Sequence, residues 1–207
     1  MIFKEALSLL CSSHSSKRRR AAKVLRHLGK RQAGPFLLAA LKEEVKDRRT
    51  WETQYQMIMA LGESGYSDCL PVLRELSTRT YESTAIPLAL GDAIVRLSGR
   101  DNGMRAILDL LNSNNLNLIE GAFRAMAMLR MHATPAAIAT VLDFVEALNP
   151  AEVPNNALWF WVAVAAAGWE TRRSQSFLEK CASSHNEGLS KAAVAARSGR
   201  YVECAIL

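Results

Sequence analysis

Apolar residues recur along this chain at the period of a helical hairpin. Aligned on the last apolar residue before a turn, the sequence gives Leu28, Leu61, Leu97, Leu129 and Ala167, spaced 33, 36, 32 and 38 residues apart, with a weaker register near Arg197. Three positions earlier stand Leu25, Ile58, Ile94, Met126 and Val164, and six earlier Ala22, Tyr55, Gly91, Phe123 and Trp161. Such offsets mark one face of a helix, and strand-like alternation is almost absent. Gly29, Gly62, Gly65, Gly99 and Gly168 supply turns after the anchors. A second apolar helix then follows each turn, opened by Pro35, Pro71 or Pro135 in three units. Proline fits there because the first helical turn has no intrahelical use for its missing N–H. A two-helix unit cannot bury its own apolar face, so successive units must stack.

Composition supports a folded chain. Of 207 residues, 49% are hydrophobic and 22% charged, too apolar for disorder. The longest uncharged apolar run, Ala157 to Gly168, is 12 residues and too short for a bilayer. Four scattered cysteines do not make a secreted disulfide scaffold, and Met1–Glu5 does not open a secretory signal. The expected setting is cytoplasmic.

Residues 18–41 carry a more specific likeness, which continues in weaker form over roughly residues 15–200. Arg18, Ala21–Ala22, Leu28–Gly29 and then Gly34–Pro35 through Leu41 resemble a HEAT-type repeat, and Met59–Gly62 with Pro71–Leu73 repeats part of the pattern. Later units keep the apolar skeleton, but Trp51, Pro87 and Ile119 stand where the first has Arg18. The resemblance implies an all-α, right-handed α-solenoid of about five two-helix HEAT-like repeats. It would fill residues 1–207 as one domain: a capping helix over 1–14, repeats over 15–184 and a C-terminal cap over 185–207. HEAT-like arrays mostly serve as binding scaffolds, with one helix layer lining a concave surface.

The charge is uneven. The net charge is +6, yet residues 1–31 hold nine lysines and arginines against Glu5, leaving −2 for the remainder. A basic end of this kind steers acidic partners. With Ala22, Leu25 and Leu28 taken as buried, the adjacent stripe of the first unit reads Arg19, Lys23, Arg26, Lys30. The homologous stripes are Glu52, Gln56, Met59, Glu63, then Leu88, Asp92, Val95, then Glu120, Arg124, Ala127, Met131, and last Leu158, Val162, Ala165, Trp169. The groove so read runs from cationic through mixed polar to apolar, with Trp159 as a further aromatic candidate.

Chemistry is absent from the sequence. The histidines are isolated, no cysteine pair has zinc spacing, and no phosphate loop or nucleophile elbow is present. The expectation is a non-enzymatic adaptor with no cofactor, metal or small-molecule substrate. It would bind an acidic protein through Arg19, Lys23, Arg26, Lys30, Gln56, Asp92, Arg124 and Trp159. Nucleic acid is the alternative partner, although no aromatic is interleaved with the basic run. It would be favoured if Arg96, Arg100, Arg105, Arg124, Arg172 and Arg173 shared one face. Some HEAT-like proteins are DNA glycosylases with a groove carboxylate among aromatics and cations, an arrangement that Asp92, Arg96, Arg124 and Trp159 could imitate. Finally, Cys204–Leu207 spells a prenylation box.

Overall fold

The computed structural model describes residues 2–148 and 157–202. In chain order its helices are α1 (Phe3–Leu9), α2 (Ser15–Leu28), α3 (Gly34–Glu44), α4 (Trp51–Ser64), α5 (Leu70–Ser77) and α6 (Ala85–Leu97). They continue as α7 (Gly99–Leu110), α8 (Leu116–Met128), α9 (Pro135–Ala147), α10 (Ala157–Ala165), α11 (Arg172–Ala182) and α12 (Glu187–Arg197). The architecture is all-helical, as the repeat pattern predicts. Among the described residues no helix is long and apolar enough to cross a membrane.

Local signals set the helix ends. Gly29 and Gly65 close α2 and α4 with φ of 54° and 67°, a left-handed conformation that strains residues with a Cβ. Pro35, Pro71 and Pro135 occupy the first turns of α3, α5 and α9. Asn115, Thr134, Thr171 and Asn186 accept backbone N–H bonds at the starts of α8, α9, α11 and α12.

The even-numbered helices pack in series, α2 on α4, α4 on α6, α6 on α8, α8 on α10 and α10 on α12, and form a spine. The odd-numbered helices form a second layer over one side of it. In this layer α3 and α5 pack on the spine helix that follows them, while α7 touches α6 and α8 alike. Leu25, Ile58, Ile94, Met126 and Val164 all lie in the core, so the row three residues before each anchor is the true buried register. The anchors themselves divide. Leu61 and Leu97 are buried, but Leu28 is 40% and Leu129 45% exposed. Leu28 is the last residue of α2 and Leu129 lies just past α8, where the chain turns away from the stack.

Two contacts fix the spine. At the α6–α8 crossing, a Cβ on Gly91 would lie 1.9 Å from the Leu118 carbonyl oxygen, and one on Gly121 would lie 1.9 Å from that of Leu88. The two helices therefore meet backbone to backbone, reciprocally. Nearer the N-terminus, Arg18 clamps Glu44 with Nε at 2.5 Å and Nη2 at 3.0 Å, and donates from Nη1 to the Ser12 carbonyl at 2.7 Å. Ser15 Oγ donates to the same carboxylate at 2.7 Å and pairs with Thr53 Oγ1 at 2.8 Å, joining α2, α3 and α4. Burial pushes the Glu44 carboxyl up, but the hydrogen bonds from Arg18, Ser15 and Thr50 outweigh it and hold it below the usual carboxylate range.

Overpacking against a backbone that cannot yield costs about 1–3 kcal/mol or more, so Gly91→Ala and Gly121→Ala should each lower the urea midpoint by that equivalent. Gly188→Ala, where the nearest outside atom is 3.4 Å away, should serve as the tolerated control. Arg18→Met leaves Glu44 buried without its cation and should cost about 3 kcal/mol. Because the folded-state pKa of Glu44 is depressed, its ionised form stabilises fully above about pH 5 and less as the pH falls through that lowered value. The stability gap between wild type and Glu44→Gln, measured by urea titration at successive pH values, should therefore close on acidification.

Candidate partner-binding surface

The basic run on α2 is divided by helix geometry. Ala21, Ala22 and Leu25 face the core. Arg18 falls beside that face and is consumed by Glu44. Arg19 pairs with Glu52 across the α2–α4 seam. Arg26 is buried, its guanidinium carbon 6.0 Å from the centre of the Tyr55 ring. Lys30 lies beyond Gly29, whose left-handed turn ends the helical register, and its ammonium sits 5.3 Å from the centre of the Phe3 ring on α1. Arg31 reaches Asp68 only loosely, at 3.9 Å. Lys17, Arg20 and Lys23 remain exposed and carry no ion pair among the described residues.

Arg20 and Lys23 border a recess. Ser16, Arg19, Arg20 and Lys23 form one wall on α2, and Trp51, Glu52, Tyr55 and Gln56 form the other on α4. Trp51 is 41% exposed. Gln56 contributes a buried Oε1 that no donor satisfies. An orphan acceptor of this kind costs about 1–3 kcal/mol. The recess thus offers positive charge and an aromatic surface to an incoming chain.

Beyond Gln56 the spine closes over its own charges. Asp92 is fully buried, with Oδ1 bound by Arg96 Nε at 2.5 Å and Oδ2 by Arg124 Nε at 2.9 Å. Arg124 also donates to Met59 Sδ at 3.1 Å, and Arg96 lies 3.6 Å from Glu63. Burial raises the Glu120 carboxyl above its ordinary range, with Arg124 and a hydrogen bond from the Trp161 indole drawing it back. These groups cross-link α4, α6, α8 and α10 and satisfy one another.

Of the residues singled out in sequence, Arg19, Lys23 and Gln56 come together at the recess. Asp92 and Arg124 also meet, but inside the closed network, where Asp92 has no free oxygen for a partner or a substrate. An accessible carboxylate at Asp92, which glycosylase chemistry would need, is therefore not available. Trp159 stacks on Phe177 of α11, with ring centres 5.2 Å apart, and so faces the cover layer. Leu158, Val162, Ala165 and Trp169, read as the apolar end of a groove, are buried core. A spine helix in mid-stack has neighbours on both sides as well as a cover layer, so the stripe beside its core row is seam rather than open surface. Arg20, Trp51 and Tyr55 were missed. Arg20 shares a face with Ser16, Lys23 and His27, a signal present at helical spacing; the aromatics arrive from another helix and leave no local signal. Cys204 lies outside the described residues.

Of the cations that would favour nucleic acid, Arg96, Arg105, Arg124, Arg172 and Arg173 do not share a face. Arg96 and Arg124 are held in the spine network, whereas Arg105 stands on α7 and Arg172 and Arg173 on α11, in the cover layer. Arg173 is further paired with Asp143 and Glu146.

Comparison with known proteins gives one sequence match and one structural neighbour worth describing. Residues 17–43 match the family model of the PBS lyase HEAT-like repeat. No curated protein sequence matches the chain. Among solved structures, an engineered protein from the Northeast Structural Genomics Consortium aligns with a TM-score of 0.46 and 20% identity, covering 98% of this chain and 99% of that one. The matched segment spans α2, its glycine turn and α3, the same residues whose Arg18, Ala21–Ala22 and Leu28–Gly29 pattern begins the stack. The chain is an all-helical repeat array whose residues 17–43 match a HEAT-like repeat.

Proposed function

We propose that this α-solenoid is a non-enzymatic scaffold that binds an acidic protein partner through the α2–α4 recess. The observation that carries the reading is the grouping of unpaired Arg20 and Lys23 with exposed Trp51 at one recess. Cations steer the encounter and fix orientation, and the aromatic surface supplies buried area. Arg20 can also form bidentate bonds to a carboxylate. At the centre of the spine Arg96 and Arg124 are taken up by buried Asp92, which favours a protein over a duplex that needs phosphate contacts along its length. Cys11, Cys69 and Cys181 stand as free thiols, in keeping with action in the reducing cytoplasm.

The test is charge reversal at positions that the fold does not use. Arg20→Glu/Lys23→Glu should reduce capture of the partner from nuclease-treated lysate at least tenfold. Its thermal midpoint should stay near that of wild type, because exposed, unpaired side chains contribute about 0.5 kcal/mol or less. Capture that disappears on nuclease treatment of the wild type would instead establish nucleic acid as the ligand.

A further inference from the structure

The recess between α2 and α4 does not end at Trp51. The same side chain lines a second depression, formed with Lys46 and Arg48 from the turn before α4 and Arg79 and Tyr81 from the turn before α6. Arg79 to Tyr81 and Ser83 in turn line a third, completed by Ser113 to Leu118 at the start of α8. Shared walls therefore join three depressions into one track along the edge where spine helices α4, α6 and α8 begin.

Charge and hydrogen-bonding character change along this track. The first two depressions are lined by Arg19, Arg20, Lys23, Lys46, Arg48 and Arg79, against only Glu52 and Glu82. Arg19, Lys46 and Arg79 have acidic neighbours, while Arg20, Lys23 and Arg48 are exposed and unpaired. The third depression holds no acid and, apart from the shared Arg79, no cation; Asn114, Asn115 and Asn117 stand there with serine and threonine hydroxyls. Side-chain amides and hydroxyls both donate and accept, which matches a peptide backbone. A phosphodiester chain needs cations throughout its path.

Length completes the argument. Neighbouring helices pack about 10 Å apart, so α2 to α8 spans about 30 Å. An extended chain at about 3.3 Å per residue covers that distance with about nine residues.

We infer that the track from the α2–α4 recess to the start of α8 is a docking channel for an extended acidic peptide segment of about nine residues. Its acidic part lies over α2 to α6 and its uncharged polar part against α8. This rests on the acidic-partner reading above and narrows it: the partner presents a linear segment rather than a folded acidic face.

The probes are a fluorescein-labelled ten-residue peptide of six alternating aspartates and glutamates continued by four serine and asparagine residues, its four-residue acidic counterpart and a ten-nucleotide oligothymidylate, followed by anisotropy with the full chain. The decapeptide should bind at least tenfold tighter than the tetrapeptide or the oligonucleotide. Arg48→Glu/Arg79→Glu, which leaves α2 untouched, should bring the decapeptide to the level of the tetrapeptide. In wild-type protein the Trp51 indole resonance should shift on adding decapeptide while that of buried Trp169 stays in place, a readout independent of any variant's folding. If the decapeptide ignores Arg48→Glu/Arg79→Glu but is lost with Arg20→Glu/Lys23→Glu, the channel is overturned and the basic-recess reading stands. Insensitivity to both variants overturns both. Tighter binding of the oligothymidylate overturns the peptide assignment.

Discussion

Because Gly91 and Gly121 carry no Cβ, α6 and α8 approach until the carbonyls of Leu88 and Leu118 lie where a methyl group would otherwise be. That closeness lets a single carboxylate, Asp92, meet arginines from both helices with no water between them. A buried pair of this kind gains little stability over an apolar alternative, but it penalises any other register of the two helices. Arg124 extends the constraint to Met59 of α4, and Glu120 carries it toward Trp161 of α10. The centre of the solenoid is thus held by two glycines and the polar groups that they bring into range.

The same economy governs the basic end. Nine cations in the first 31 residues suggest a broad electropositive surface. Folding assigns several of them to other tasks: Arg18 neutralises a buried glutamate, Arg26 covers a tyrosine ring, and Lys30 turns back over α1. What remains beside Trp51 for a partner is smaller and sharper, Arg20 and Lys23. Charge counted along a sequence measures supply; the structure determines how much is already spent.

Much of the architecture was legible because helical period, proline starts and glycine stops are local signals. The core row Leu25, Ile58, Ile94, Met126, Val164 could be read from spacing alone. The site was less legible, for a geometric reason. Choosing which stripe of a spine helix is open requires knowing how many neighbours it has, and Asp92, Val95 and Val162 lost their exposure to flanking helices that no local pattern announces. Lys30 failed differently, since an argument by helical offset stops at the residue where the helix does. Arg20 was within reach of the periodicity, whereas Trp51 joins it only through the packing of α4 on α2.

The spine packs mainly in series, so each helix answers mainly to its two neighbours, with the Arg124–Met59 contact reaching one helix further. In such an array cooperativity is a chain of pairwise couplings, and it can break where a coupling is weak. The backbone-close crossing of α6 and α8 is the natural last segment to open, with the terminal helices fraying before it. The recess and the edge beyond it stretch from α2, near one fraying end, to the start of α8 at the centre. A chain bound along that path is a splint: it ties a terminal repeat to the most protected part of the array, so occupancy is read as slower amide exchange in α1 to α3.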